Sequence, residues 1–267
     1  MRCTSLRVVD VAVCVKQVPA PDTPLELEPP AYDLRRSGSL VLDEPDSFGV
    51  ETALRLSEQS GGGEVVVISM APRGETAGLR TALALGATRA LLVSDEALAG
   101  SDALGTARVL AALVRRAGAA LVVAATESSD GYSGTVPVQM AELLGYPAVT
   151  FAKHVETDGA RIFAERQTDF GSEEVECPLP AVLTVTAGAV EVRYPSLKGI
   201  MSAKSKPVEI LALTDLGIDP STVGRAGARQ EVISLEEAEH RSGGTVVAGD
   251  GRGHELIVEL LEKRGVL

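Results

Sequence analysis

Short, densely apolar runs alternate with segments whose apolar residues recur every three or four positions. The runs at residues 8–15, 64–70, 90–93 and 119–125 are typical of buried strands. The segments between them are typical of helices. In one of them, Ser101 or Asp102 can cap a helix that Gly118 ends. This order predicts an α/β fold, a doubly wound parallel sheet with right-handed crossovers.

The alternation changes after residue 150. Strand-like runs at 154–155, 160–167 and 183–185 follow one another without helices, which predicts a small β addition, either extending the sheet or antiparallel to it. Residues 214–253 are rich in glycine, serine and charge, which is typical of an extended arm. An amphipathic stretch at 254–264 predicts a helix too short to be stable alone, so it docks on this domain or on a partner. We therefore expect one domain at 1–213 and a C-terminal arm with its helix at 214–267.

Composition and charge narrow the function classes. Aromatic residues are 3% of the 267 and tryptophan is absent, so Val, Leu, Ala and Ile must build the core, as suits a parallel sheet. The net charge of -12 disfavours nucleic acids and anionic membranes as partners. No apolar run reaches the ~20 residues that span a bilayer, so direct membrane insertion is not expected.

The pattern of reactive residues predicts neither a metal site nor a catalytic centre. Cys3, Cys14 and Cys177 form no CxxC pair, which indicates a reducing compartment. The three histidines lack metal-ligand spacing. The chain also lacks a GxGxxG fingerprint, a Walker loop and a nucleophile–histidine–acid set. The N-terminus does not have the pattern of a signal peptide, so we expect a cytoplasmic protein.

Residues 125–136, here called the nucleotide loop, join a buried strand to a helix. In open parallel sheets, ligands bind beyond the carboxyl ends of the strands, and segments 16–22 and 70–72 leave strands on the same side. The loop is rich in Ser, Thr and Gly, which can present N–H groups and hydroxyls to a phosphate. A capped turn without a ligand has the same composition. Asp130 would repel a phosphate, so we expect it to accept backbone N–H groups or to bind a ribose hydroxyl.

Residues 193–206, here called the recognition segment, combine loop-forming and apolar residues. Pro195 and Gly199 predict a loop, whereas Leu197, Ile200 and Met201 are more apolar than a solvated loop requires. Such residues either fold back onto the core or meet a partner.

Three stretches resemble one known family. Residues 193–201, Arg-Tyr-Pro-Ser-Leu-Lys-Gly-Ile-Met, resemble the recognition loop of the beta subunits of electron-transfer flavoproteins. Residues 129–131 and 141–147 resemble the AMP-binding loop and helix of these subunits, and residues 164–184 resemble their signature stretch. The matches occur in family order and cover most of residues 8–215. The resemblance implies a Rossmann-like fold of the adenine nucleotide alpha hydrolase type.

The resemblance also implies a function. It predicts a bacterial, cytoplasmic electron carrier, not an enzyme, in a heterodimer with an alpha subunit that holds most of the FAD. Electrons would come from a flavin-dependent dehydrogenase, such as acyl-CoA dehydrogenase in fatty acid oxidation, and pass to a quinone-reductase-type acceptor. AMP would be bound as a structural, unreactive nucleotide. The C-terminal arm would clasp the alpha subunit.

The family's contacts carry over by position, in two sets. The AMP contacts implied are Cys14, Asp43, Glu44, Pro45, Asp46, Met70, Ala125, Thr126, Glu127, Ser128, Ser129, Asp130, Gly131, Ser133, Gly134, Thr135 and Val136. The partner contacts implied are Tyr194, Pro195, Ser196, Leu197, Lys198, Ile200 and Met201, with Leu197 as the residue that anchors the dehydrogenase. Residues 43–46 depart from the Asn-Pro pattern of some members, so which of these four touches the nucleotide stays open.

Further expectations concern charge. Lys198, Lys204 and Lys206 could steer an acidic partner. The charged residues of 164–175 are interpreted as a solvated turn with interface ion pairs.

Two alternatives remain. One is an electron-bifurcating member of the same family, in which a second FAD replaces AMP and NADH is the donor. The other is a stand-alone nucleotide-binding stress or signalling protein with a related sheet.

Overall fold

The structure is a computed structural model that describes residues 8–36, 38–236, 244, 246, 249 and 251–267. The chain divides into two compact units, Met1–Val232 and Ile233–Leu267. The first unit therefore extends beyond the boundary expected at residue 213. Cys3 and His240 lie outside the described residues.

Strands and helices alternate as the apolar pattern predicts. Within the described residues the strands are β1 (Val11–Cys14), β2 (Gln17–Pro19), β3 (Leu27–Glu28), β4 (Asp33–Leu34), β5 (Leu40–Leu42), β6 (Val65–Ala71), β7 (Arg89–Ser94), β8 (Leu121–Ala125), β9 (Ala148–Thr157), β10 (Arg161–Thr168), β11 (Gly171–Pro178), β12 (Ala181–Val185) and β13 (Val208–Leu211). The helices there are α1 (Glu44–Gln59), α2 (Ala77–Leu85), α3 (Ala103–Ala117), α4 (Val136–Leu144), α5 (Leu197–Ala203), α6 (Gly224–Gly227) and α7 (Gly253–Lys263).

The described residues form a nine-stranded sheet in the order β11-β10-β9-β12-β8-β1-β6-β7-β13. The seven strands β9-β12-β8-β1-β6-β7-β13 each pair in parallel with the next. Beyond β9, β10 and β11 add an antiparallel edge. The predicted doubly wound sheet with a small β addition is confirmed.

The core lies on both faces of the sheet because successive strand residues point to opposite sides. Val65 and Val67 pack with α1 and α2, whereas Val66 and Ile68 pack with α3 and α4. Helix ends follow the predicted signals. The Asp102 carboxylate accepts the Gly105 N–H at 2.7 Å, and Gly118 ends α3 with a left-handed φ of 70°.

Two segments differ from the expectation. The charged stretch interpreted as a turn, residues 164–175, forms the end of β10 and the start of β11, and only residues 169–170 form the turn. Most charged residues of this hairpin are exposed, and Arg161 pairs with Glu176 and Arg166 with Glu173, both within the hairpin. A hairpin edge of this kind needs few apolar residues, so its sequence resembles a polar loop.

Residues 214–227, the first part of the predicted arm, pack within the first unit together with Leu213. These residues form 3-10 turns and α6, and the side chains of Leu213 and Val223 are fully buried in the cluster around α3. Gly224 has a φ of +60°, and a Cβ there would lie 1.8 Å from the Ala97 carbonyl oxygen, so this turn requires glycine. In the second unit, α7 occupies almost the predicted range.

Among the described residues, no helix has the length and apolar character needed to cross a membrane. Within the same residues, no three acidic, histidine or cysteine side chains are grouped so that they could hold a metal ion.

Candidate nucleotide site and recognition segment

A cavity of about 800 Å³ opens at the carboxyl ends of β1, β6 and β8. This is the edge at which parallel sheets bind ligands, and the volume lies in the range of small-molecule sites. The cavity wall includes many of the residues implied as AMP contacts, namely Cys14, Asp46, Met70, Ala125, Thr126, Glu127, Ser128, Gly131, Ser133, Gly134 and Val136.

The other implied contacts, Asp43, Glu44, Pro45, Ser129, Asp130 and Thr135, lie outside this wall. Of the four residues 43–46, therefore, only Asp46 lines the cavity. Contact of the others with a nucleotide stays a prediction. In the structure, Asp43 and Asp130 make hydrogen bonds and ion pairs that hold the nucleotide loop in place.

Asp43 binds the nucleotide loop through Ser129. Its side chain is 1% exposed, directly before α1. One carboxylate oxygen accepts the Ser129 N–H at 2.8 Å, and the other accepts the Ser129 hydroxyl at 2.5 Å. Charge-assisted hydrogen bonds are stronger than neutral ones, so this pair fixes the loop to the start of α1.

Asp130 pairs with two cations and not with the backbone N–H groups that the sequence suggested, and its contact with a ribose hydroxyl stays a prediction. Its carboxylate accepts from Lys16 Nζ at 2.5 Å and from the Arg36 guanidinium. Burial alone would raise the pKa of Asp130, but the charges and hydrogen bonds of Lys16 and Arg36 outweigh it and hold this pKa below its ordinary value. The ion pairs join the loop to the carboxyl end of β1 and to the segment between β4 and β5.

The cavity wall also carries cations that our site prediction omitted, namely Lys16, Arg35, Arg36 and Arg73. Lys16 directly follows the first apolar run, so its position at the carboxyl end of a parallel strand was a usable signal. Arg36 lies in a stretch whose strands are two or three residues long, which leaves no periodicity to detect.

Asp46 and Cys14 are buried residues of the cavity wall. Asp46 is buried and accepts the Lys16 N–H at 2.6 Å. Burial raises the pKa of Asp46 well above its ordinary value, and the nearby Asp43 acts in the same direction, whereas the Lys16 N–H opposes it. Burial also raises the pKa of the Cys14 thiol, so this cysteine is an inert packing residue.

We expect Asp46→Asn to stabilise the protein increasingly as pH rises. A raised pKa contributes stability that is complete below the unfolded value of about 3.9 and is lost as pH rises through the folded pKa. Asparagine keeps an oxygen for the Lys16 N–H but does not titrate. Chemical denaturation between about pH 4 and pH 8 should show a variant-minus-wild-type difference in unfolding free energy that grows with pH. A difference independent of pH would contradict this account.

The recognition segment contains helix α5, where the sequence predicted a loop. Pro195 lies before the helix, and the Ser196 hydroxyl caps it by accepting the Gly199 N–H at 3.0 Å. Gly199 lies inside α5. A Cβ at this position would be 2.5 Å from the Ala84 carbonyl oxygen, so the position requires glycine. The glycine therefore allows close packing of α5 on α2.

The apolar side chains of this segment are exposed. Tyr194 is 96% and Leu197 is 79% exposed, and Ile200 and Met201 are also exposed. The interpretation in which these residues fold back onto the core is therefore wrong. Large exposed apolar groups on one short segment are typical of an interaction site.

Of the three lysines expected to steer a partner, Lys206 has an internal role. Its Nζ donates to the carbonyl oxygens of Leu83 at 2.9 Å and Ala87 at 2.7 Å, at the end of α2. It therefore caps that helix. Lys198 and Lys204 are exposed.

Comparisons with known proteins identify the family. The family profile described as "Electron transfer flavoprotein domain" matches residues 34–216. The electron transfer flavoprotein subunit beta of Mycobacterium tuberculosis (strain H37Rv) is 36% identical over 264 residues, covering 97% of this chain and 99% of that protein. The chain belongs to the electron transfer flavoprotein beta-subunit family. As a beta subunit it is an electron carrier rather than an enzyme, and the family name implies an alpha-subunit partner.

Other beta-subunit relatives match over similar lengths. The subunit beta of Thermoanaerobacterium thermosaccharolyticum is 33% identical over 262 residues, which is 97% of this chain and all of that protein. The caffeyl-CoA reductase-Etf complex subunit CarD of Acetobacterium woodii is 31% identical over 241 residues, 90% of this chain and 92% of that protein. The relatives thus include proteins named as electron transfer flavoprotein subunits and a protein named as a subunit of a reductase-Etf complex.

Proposed function

We propose that this chain forms a heterodimer with an FAD-bearing alpha subunit and shuttles electrons in the bacterial cytoplasm. The donor is a flavin-dependent dehydrogenase, such as acyl-CoA dehydrogenase in fatty acid oxidation, and the acceptor is of the quinone-reductase type. The observation that carries this proposal is Leu197, which is exposed on a capped helix inside a chain of this family. An exposed leucine offers a partner an apolar anchor.

Two features of the cavity support the proposal of a structural AMP. The nucleotide loop precedes α4, so its N–H groups and the cations Lys16 and Arg36 suit a phosphate. The apolar side chains of Leu98, Val136 and Met140, also in the wall, suit an adenine ring. In this proposal the bound AMP fills the cavity and stabilises the loop, while the FAD of the alpha subunit supplies the redox chemistry.

The second candidate is the electron-bifurcating carrier, with a second FAD in the cavity and NADH as donor. A volume of about 800 Å³ is near the upper end of the usual range of roughly 300–1,000 Å³, which admits a dinucleotide. One relative also belongs to a named reductase complex. We prefer AMP, the shorter ligand. Lys16 and Arg36 both pair with Asp130, and these two ion pairs close one side of the nucleotide loop.

We expect the purified heterodimer to release one FAD and one AMP per complex on acid extraction followed by chromatography. Two FAD and no AMP would establish the bifurcating alternative. The same preparation tests whether the chain co-purifies with a flavin-bearing second chain. A stable monomer or homodimer that lacks flavin would support the stand-alone stress or signalling protein instead. Its family membership argues against that outcome.

A further inference from the structure

Arg193, the first residue of the recognition segment, is fixed to helix α1. Its Nε donates to Glu51 Oε2 at 2.7 Å, and its Nη2 donates to Glu51 Oε1 at 3.2 Å. Its Nη1 also donates to Glu58 Oε1 at 2.9 Å, about two turns along the same helix. A guanidinium that binds two carboxylates in this way has little freedom to rotate.

Glu51 is a buried anchor, not a surface partner. It is 2% exposed, and Arg55 supplies a second guanidinium at 2.7 Å. Arg55 also donates to the Glu191 carbonyl oxygen at 2.8 Å, so α1 holds the chain on both sides of residue 192. Burial alone would raise the pKa of Glu51, but the hydrogen bonds from Arg193 and Arg55 outweigh it and lower this pKa. The carboxylate is therefore ionised at neutral pH.

The other end of the recognition segment is held by α2. Arg80 Nη1 donates to the carbonyl oxygens of Ala203 and Lys206, each at 2.7 Å. Ala203 is itself buried at the end of α5. The segment is thus clamped by Arg193 where it begins and by Arg80 where it ends, while Tyr194 and Leu197 between the clamps are exposed.

We propose that Arg193 is a positioning residue for docking: its bidentate pair with Glu51 holds the recognition segment in the conformation that presents Leu197 to the dehydrogenase. This inference rests on the proposed docking role of Leu197. A segment that is already ordered loses less conformational entropy when its partner binds, so the clamp increases affinity without touching the partner.

The first test uses the purified heterodimer as the electron-accepting substrate of a flavin-dependent acyl-CoA dehydrogenase. Arg193→Gln should raise the KM for the heterodimer about ten-fold and leave kcat within about two-fold, because docking weakens and the electron-transfer step does not change. Arg193→Lys keeps the positive charge but cannot bind the carboxylate with two parallel N–H donors. Its KM should therefore lie between those of wild type and Arg193→Gln. The matched control is Arg116→Gln, which breaks an exposed pair with Glu209 at 2.6 Å and should leave KM unchanged.

The second test is a double-mutant cycle with Leu197→Ala. If Arg193 acts through Leu197, adding Arg193→Gln to Leu197→Ala should raise KM by less than about two-fold. A mere loss of stability would act equally in both backgrounds and would overturn the inference. So would an unchanged KM for Arg193→Gln where Leu197→Ala raises it.

Two outcomes separate this inference from the function on which it rests. If Leu197→Ala leaves KM unchanged, the proposed docking role itself fails, and the inference fails with it. If Arg193→Gln does not yield a folded heterodimer, the comparison of Arg193→Lys with wild type decides, and an unchanged KM for that variant contradicts the positioning role.

Discussion

Leu197→Ala should slow reduction of the heterodimer by its dehydrogenase by about ten- to a hundred-fold at sub-saturating concentrations. Burying a leucine side chain contributes roughly 1.5–3 kcal/mol, and each 1.4 kcal/mol corresponds to ten-fold in affinity. Because Leu197 is exposed in the chain itself, its truncation leaves no cavity in the core, so folding and AMP content should not change. Stopped-flow reduction of the flavin measures the rate.

The matched control is Leu25→Ala, the same truncation at a leucine that is 70% exposed outside the recognition segment. It should reduce at the wild-type rate. Equal rates for Leu197→Ala and wild type would remove Leu197 from the mechanism, whereas equal slowing of both variants would indicate a general loss of integrity.

A single apolar anchor suits an electron shuttle because its complexes must form and dissociate quickly. Small interfaces with few anchors are typical of redox encounters. The exposed Lys198 and Lys204 flank this anchor and should affect the association rate and its salt dependence more than the dissociation rate. Lys206 is unsuited to this role because it caps α2.

The elements that local pattern determines were predicted well. β1, β6 and β8 are runs of buried apolar residues with no other plausible location than the centre of a sheet. The ends of α3 were also readable, because a capping aspartate and a left-handed glycine act through their own backbone neighbours.

What could not be predicted depends on contacts that are distant in sequence. Arg36 meets Asp130 across 94 residues, and nothing near either residue indicates the pair. Gly199 suggested a loop, but this position requires glycine because α5 packs close to Ala84. That contact is with another helix, so the sequence around Gly199 does not reveal it. Strand β11 was missed because an exposed hairpin edge carries charges that resemble those of a turn.

The nucleotide loop shows both cases. Its position after β8 and before α4 follows from the strand–helix order and from the family resemblance. The strand–helix order and the resemblance do not predict which residues of the loop line the cavity. Ser129 and Asp130 lie outside its wall, where they bond to Asp43 and Lys16. Position in a matched motif thus predicts the site but not the orientation of each side chain.

Asp43→Ala should weaken AMP binding about a hundred-fold and lower the melting temperature by several degrees. The substitution removes both acceptors of Ser129, leaving its N–H and hydroxyl without their partner. A lost hydrogen bond to a charged group costs roughly 1.5–3 kcal/mol. A total of about 3 kcal/mol corresponds to about a hundred-fold in affinity, provided that the loop must be ordered to bind the nucleotide. Gel filtration followed by analysis of retained AMP, with calorimetry, measures both effects.

The adjacent Glu44 provides the control, because it is an exposed carboxylate at the start of the same helix and lies outside the cavity wall. Glu44→Ala should retain AMP like wild type and unfold within about 1 kcal/mol of it, since only a favourable interaction with the helix dipole is lost. Asp43→Asn should lie between Asp43→Ala and wild type, because its amide can still meet Ser129 without the charge. Full AMP retention by Asp43→Ala would show that the nucleotide, and not the aspartate, orders the loop. Loss of AMP in Glu44→Ala would instead place Glu44 at the ligand, as the family position implies.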